Sequence, residues 1–251
     1  MKICIVSPHA DDELLSCSSV LANSSHQIDL LNVFTNVYAK RAIYKPHFHW
    51  SEEFLEKRSP EKLKLYFDSI KNVTLLNFTG ANYANAMLNS ELNAEILKIR
   101  NFKKAVRLFD IDEERNTAVI VNRAILDFPE LEIELFKNLQ GYDLVLCPIG
   151  ILHNDHLIVR KSVDKVIKTP IAYYADIPYA YRKGGDRLLS DDIEHHKYEY
   201  SQKHESCKNK KKILWKVYPR EQVMLWCTHS AVDVAERFYS NHKIIQQLYS
   251  F

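Results

Sequence analysis

Glycine is scarce in this chain, with 5 residues among 251, well below the usual share of about 7%. That excludes a Gly-rich phosphate cradle and argues against a loop-dominated protein. Charge of one sign is also lacking. The formal net charge is +2, so no overall field favours nucleic acid or an anionic membrane, and a neutral or modestly polar small molecule is the better-matched partner. No stretch approaches the roughly 20 apolar residues of a membrane-spanning helix, and the opening run Lys2–Val6 is too short for a signal-peptide core. Cys4, Cys17, Cys147, Cys207 and Cys227 form no Cys-x-x-Cys pair. Their odd number and scatter lead us to expect buried, reduced thiols in a cytoplasmic protein, with neither a disulfide framework nor a cysteine nucleophile.

What is present fits one large domain spanning residues 1–251, with no Pro/Gly/Ser-rich linker dividing it. Short apolar runs at Lys2–Ser7, Ile28–Phe34, Val73–Phe78, Asp143–Pro148 and Ile171–Ala175 read as buried strands. Helical spacing is expected over Glu13–Ala22, Ser51–Ile70 (interrupted by Pro60), Thr117–Leu139 and Asp155–Ile167. The alternation predicts a Rossmann-like α/β fold, a mostly parallel sheet with helices on both faces. Residues 82–104 read as an insertion. Beyond about residue 180 the pattern is less regular, with helices expected over Asp191–Cys207 and Ala231–Leu248.

Two motifs carry chemistry. Pro8-His9-Ala10-Asp11-Asp12-Glu13 directly follows the first strand, and His153-Asn154-Asp155-His156 follows the fourth. The carboxyl ends of strands in open α/β sheets are where ligands bind. The three-residue spacing can bring His9 and Asp12 to one face, and His156 can supply a third ligand. Two histidines and a carboxylate suit a catalytic zinc site with an open position, and also suit ferrous iron. Asp11, beside a ligand, is placed to take a proton from the attacking water. His153 can act as cation or acid towards a tetrahedral oxyanion, with Asp155 orienting it. Either motif alone would more often be a helix cap or a surface histidine; the pair, each directly after an apolar strand, support one another.

The first motif resembles the Pro-His-Pro-Asp-Asp-Glu signature of the PIG-L/LmbE-like N-deacetylases, and the second resembles that family's His-x-Asp-His. The resemblance covers about the first 180 residues. It implies a zinc-dependent hydrolase with a Rossmann-like fold that removes the acetyl group from an N-acetylglucosamine-type sugar or sugar conjugate. It also implies His9, Asp12 and His156 as metal ligands, Asp11 as general base, and His153 backed by Asp155 as oxyanion stabiliser or acid. Arg58, followed by Glu61, resembles the family's substrate-contacting Arg, although a surface ion pair explains it equally well. The chain departs from the family pattern at Ala10, at Ile151, and after Phe34-Thr35-Asn36, where a Gly-Glu pair is missing. These positions border the sugar pocket.

Other features are read more plainly. Tyr173–Tyr179 resembles a Tyr-rich strand end that lines the pocket rim, or is core. His47-Phe48-His49-Trp50 is expected to be an aromatic loop, His195-His196 a solvated pair, and Lys208–Lys212 a solvated helix end or loop. Glu13 is expected to be no more than a first-turn helix acid. The rival to an enzyme is a metal-holding sugar-binding module that does not hydrolyse. A hydrolase of another amide is a further alternative.

Overall fold

The structure is a computed structural model that describes residues 1–35, 59–78, 128–151, 153–181, 184–218 and 234–249. Arg58, His47–Trp50, Cys227, the 82–104 segment and the first part of the helix expected from Thr117 lie outside the described residues.

Strand β1 (Lys2–Ser7) shows how the sequence makes the layers. Side chains alternate across a strand. Ile3 and Ile5 enter one core, with Leu14 and Val20 of helix α1 (Asp12–Leu21). Cys4 and Val6 enter another. There they meet Leu131 and Leu135 of α2 (Pro129–Asn138) and Val159 and Val163 of α3 (Asn154–Val166). A strand buried on both faces has no polar side to show, which is why its sequence is continuously apolar.

The remaining strands are β2 (Gln27–Asn32), β3 (Ile70–Leu75), β4 (Leu144–Pro148), β5 (Ile171–Tyr174), β6 (Tyr200–His204) and β7 (Glu236–Ser240). Among the described residues they form one seven-stranded sheet in the order β3-β2-β1-β4-β5-β7-β6. The run from β3 to β5 is parallel, whereas β7 is antiparallel to both of its neighbours. The chain order reverses between β1 and β4, so the crevice at their carboxyl ends is the topological switch point of the sheet.

Three helical expectations are corrected. In place of the end of the Ser51–Ile70 helix, a short 3-10 helix runs over Pro60–Leu65, with Pro60 supplying the fixed φ of its first turn, and Ile70 already opens β3. Within Asp191–Cys207, helix α4 (Gly185–His196) ends at Lys197, which is in the left-handed region, and β6 follows. A polar edge strand that is only half-buried carries little period-two signal. Within Ala231–Leu248 the structure has β7 and then a 3-10 helix, Lys243–Leu248, separated at Asn241-His242.

The basic run is not simply solvated either. Lys210 opens helix α5 (Lys210–Val217) and is buried. Its ammonium donates to the Leu15 carbonyl at 2.5 Å and to Glu236 at 3.0 Å. Glu236, fully buried, also accepts from the backbone N–H and hydroxyl of both Ser18 and Ser19. This ties the C-terminal part of the chain to the helix that carries Asp12. Among the described cysteines, Cys4, Cys17 and Cys147 are buried, Cys207 is half-buried, and all four are free thiols. No helix among the described residues is long and apolar enough to cross a membrane.

Candidate metal centre at the carboxyl ends of the first and fourth strands

After β1 the chain turns tightly, with the backbone N–H of Asp11 and Asp12 donating to the His9 carbonyl at 2.9 and 3.3 Å. The turn leads into α1, and Asp12 reaches back to accept from the His9 backbone N–H at 2.9 Å. The same carboxylate oxygen, Asp12 Oδ2, lies 3.4 Å from His9 Nδ1 and 3.3 Å from His156 Nε2. Asp11, at the N-cap of α1, is buried beside it.

After β4 the chain passes through Gly150 at φ +89°. A Cβ at that position would lie 2.8 Å from the Leu157 Cα, so only glycine lets the loop press against α3 in this conformation. His153 caps α3, its Nδ1 accepting from the Asp155 backbone N–H at 3.2 Å. One turn further on, the fully buried His156 projects to the same rim. One nitrogen from each of His9, His153 and His156 falls within a group no wider than 4.8 Å.

Both His9 and His156 are backed by a carboxylate. His156 Nδ1 is 2.6 Å from Asp176 Oδ1. Asp176 Oδ2 accepts from the backbone N–H of Gly150 at 2.8 Å and of Ile151 at 3.0 Å. Because Asp176 already takes these two donors, His156 Nδ1 must donate to it. Nε2, buried with Asp12 Oδ2 at 3.3 Å and no well-formed hydrogen bond, is then the nitrogen that offers a lone pair to an ion once that ion displaces its proton. His9 Nε2 is likewise 2.8 Å from Asp155 Oδ2, which leaves Nδ1 towards Asp12. The sequence reading put Asp155 behind His153. Its carboxylate is on His9, and it reaches His153 through its backbone N–H.

The donor set fits a divalent ion. A tetrahedral site with metal–ligand bonds of about 2.0–2.1 Å has ligand–ligand separations of about 3.3–3.4 Å, as found around Asp12 Oδ2. A buried ring nitrogen with no well-formed hydrogen bond is a costly group unless something takes its lone pair. The electrostatics agree. Burial opposes protonation of His9, but hydrogen bonds to Asp12 and Asp155 outweigh it and hold the pKa at about 9. Burial opposes protonation of His156 as well, yet Asp12 and Asp176 push its pKa well above the usual histidine range. The Asp12 carboxyl, despite burial, is held far below the usual range by His156 and His9. The carboxylates thus draw positive charge onto two imidazoles, a charge that a divalent ion can replace. His153 differs, because burial and then its two histidine neighbours lower its pKa to about 3.

Sequence reasoning missed the roles of two residues here, Asp176 and Glu13. Asp176 lies just past the end of β5, on the same rim, and the rule that pointed to His9 and His153 applies to it equally. Tyr179, quoted only within a Tyr-rich stretch, sets its ring 5.2 Å from that of His153 and 5.3 Å from that of His156. Tyr174 of the same stretch is core, its hydroxyl donating to the Val6 carbonyl. Glu13 is more than a first-turn acid. It is fully buried, accepts from Ser7 and from Tyr218 at 2.5 Å each, and burial pushes its carboxyl up to about 7 despite those bonds. His195 and His196 are exposed at the end of α4.

No protein-family model matches the sequence, and no curated protein matches it. Solved structures do match. The zinc-inhibited form of teicoplanin deacetylase Orf2 aligns with a TM-score of 0.57 and 15% identity, covering 95% of this chain and 97% of that one. A triple mutant of a deacetylase of the teicoplanin biosynthetic pathway aligns at 0.52 and 14%, covering 96% and 97%. At such identities the likeness establishes the fold: this chain has the Rossmann-like α/β fold of those structures along nearly its whole length.

Proposed function

We propose that the chain is a metal-dependent N-deacetylase of the PIG-L/LmbE-like family, acting on an N-acetylglucosamine-type sugar or sugar conjugate. The observation that carries this reading is the convergence of His9 Nδ1, His156 Nε2 and Asp12 Oδ2, each imidazole held from behind by a carboxylate. The fold shared with deacetylase structures supports it. His9, Asp12 and His156 would hold the ion, with zinc the first candidate and ferrous iron the second. Such an ion, when bound, supplies Lewis acidity, polarising the acetamide carbonyl and acidifying water.

The protein's own groups do the rest. Asp11, next to the ligand Asp12, takes a proton from the attacking water and passes it to the leaving amine, so that acetate and the free amine are released. His153 has a defined tautomer. With Nδ1 accepting from Asp155 N–H and the ring neutral at pH 7, the proton sits on Nε2. We therefore read His153 as a hydrogen-bond donor to the developing oxyanion, with acid to the leaving amine as its alternative role. Asp155 serves as a positioning residue for His9. Arg58 remains a candidate substrate contact from the family resemblance.

The test is acetate release from N-acetylglucosamine conjugates by metal-loaded protein. Asp11→Asn is expected to keep its metal and lose about 10²–10⁴-fold in turnover, whereas His156→Ala loses both metal and turnover. Wild-type turnover by purified Asp11→Asn would show that the base is wrongly assigned. A protein that binds metal and sugar but never releases acetate would support the binding-module alternative.

A further inference from the structure

The amino-terminal pole of the sheet carries a feature remote from the metal centre. A cavity of about 480 Å³ opens there between the last turn of α1, residues 66–69 and helix α5. Ser69 marks the pole, because its carbonyl accepts from the Ile28 N–H at 2.8 Å near the start of β2. Helix α1 begins at Asp12 and ends at Leu21 on the cavity wall, a length of 10 residues. The cavity therefore lies about 15 Å along the helix from the metal-centre rim.

Charge is unevenly spread despite the net +2: residues 208–216 hold five lysines and no acid. Lys210 is buried on Glu236. Lys208, Lys212 and Lys216 are exposed and line the cavity, against one carboxylate, Asp68. Lys212 and Lys216 stand one turn apart on α5, and Lys208 lies in the turn that opens the helix. Large apolar side chains stand in water around the same mouth. Leu65 is 79% exposed, Tyr66 38% and Trp215 54%. Tyr66 lines the cavity, whereas Leu65 and Trp215 flank it, next in sequence to the lining residues Tyr66 and Lys216. The 3-10 helix Pro60–Leu65 packs against α5, which holds the two parts of this face together.

The mixture of side chains selects the occupant. A soluble anion in the cavity would meet the lysines but leave Leu65 and Trp215 in water. The core of a protein interface favours Arg and is depleted in Lys, and no Arg lines this mouth. A nucleic acid stacks on aromatic rings but has no use for an exposed Leu. An anionic bilayer uses all three kinds. Its negative surface attracts lysines, its headgroup level suits Trp and Tyr, and its acyl boundary takes up Leu. We propose that this face docks on an anionic lipid bilayer, with Lys208, Lys212 and Lys216 at the head groups and Leu65, Tyr66 and Trp215 entering the interface. The docked face is at the pole away from the metal centre, so that rim stays open to water. Docking is independent of the deacetylase reading.

The experiment sediments the full chain with vesicles of phosphatidylcholine alone and of an equal mixture with phosphatidylserine. Wild type is expected to bind the mixed vesicles and to be released by salt. Each lysine near such a surface is worth about fivefold in partition, so Lys208→Ala, Lys212→Ala and Lys216→Ala combined should lower binding about 100-fold. Leu65→Ser combined with Trp215→Ser should weaken it severalfold. All five positions are exposed, and unchanged thermal melting of the variants separates lost docking from lost folding. Wild type that binds neither vesicle, or both alike, overturns the proposal, as does either variant binding like wild type. Retention on heparin without vesicle binding would assign the face to a soluble polyanion. A dimer that depends on Trp215 would assign it to a second copy of the chain. Either result also overturns the bilayer.

Discussion

Replacing Asp176 by Asn tests whether the metal centre depends on the carboxylate behind His156. Asp176 is fully buried and takes three hydrogen bonds, one on Oδ1 from His156 and two on Oδ2 from the backbone of Gly150 and Ile151. Asn offers a single acceptor oxygen. If that oxygen stays with the two backbone donors, the amide NH₂ faces His156 Nδ1 and forces the imidazole proton onto Nε2. That is the nitrogen that faces Asp12, so metal affinity should fall about 10–100-fold, the range for losing such a carboxylate. If the oxygen stays with His156, two buried N–H groups lose their acceptor, at about 1–3 kcal/mol each. For a domain of this size each kcal/mol lowers Tm by about 2–4 °C. Chelator competition for zinc and thermal unfolding of the metal-free protein therefore separate the two outcomes. An Asp176→Asn protein with both wild-type zinc affinity and wild-type Tm would refute the assignment.

Two further substitutions probe what positions the site. Gly150→Ala places a Cβ against the Leu157 Cα at a positive φ; it should cost at least about 1 kcal/mol and lower zinc affinity, because α3 carries His153 and His156. Thermal melts and zinc titration check both effects. Lys210→Met leaves the Glu236 carboxylate buried without its cation, a loss of about 3–5 kcal/mol in urea unfolding. Combining it with Glu236→Gln should recover much of that, since a buried pair is costly mainly when half of it is removed.

The legible parts of the sequence were those with one strong physical signal. β1, β4 and β5 are short apolar runs because both faces of each are covered, and the motifs after β1 and β4 stand out because polar residues follow those runs abruptly. The parts that misled depend on distant partners. β6 reads as helix because an edge strand needs little apolar alternation. β7 reads as helix because Glu236 breaks the pattern, and nothing local says that Ser18, Ser19 and Lys210 will satisfy that carboxylate. Glu13 read as no more than a first-turn helix acid for the same reason, since Tyr218, which bonds it, lies 205 residues away. Asp176 was readable by position alone, but its role needed the neighbouring strand to place His156 against it.

The strand order has a consequence for how the chain is made. Among the described residues β6 has one partner in the sheet, and that partner, β7, is synthesised after it. While a nascent chain ends short of residue 236, the outer edge of β5 has no strand beside it, and Ser18 and Ser19 lack their acceptor, although both metal motifs have already emerged. An open edge of this kind invites pairing with other chains. Translation arrested after the second motif has emerged but before residue 236 should therefore give a nascent species that engages chaperones or self-associates, and arrival of the last strand should release it.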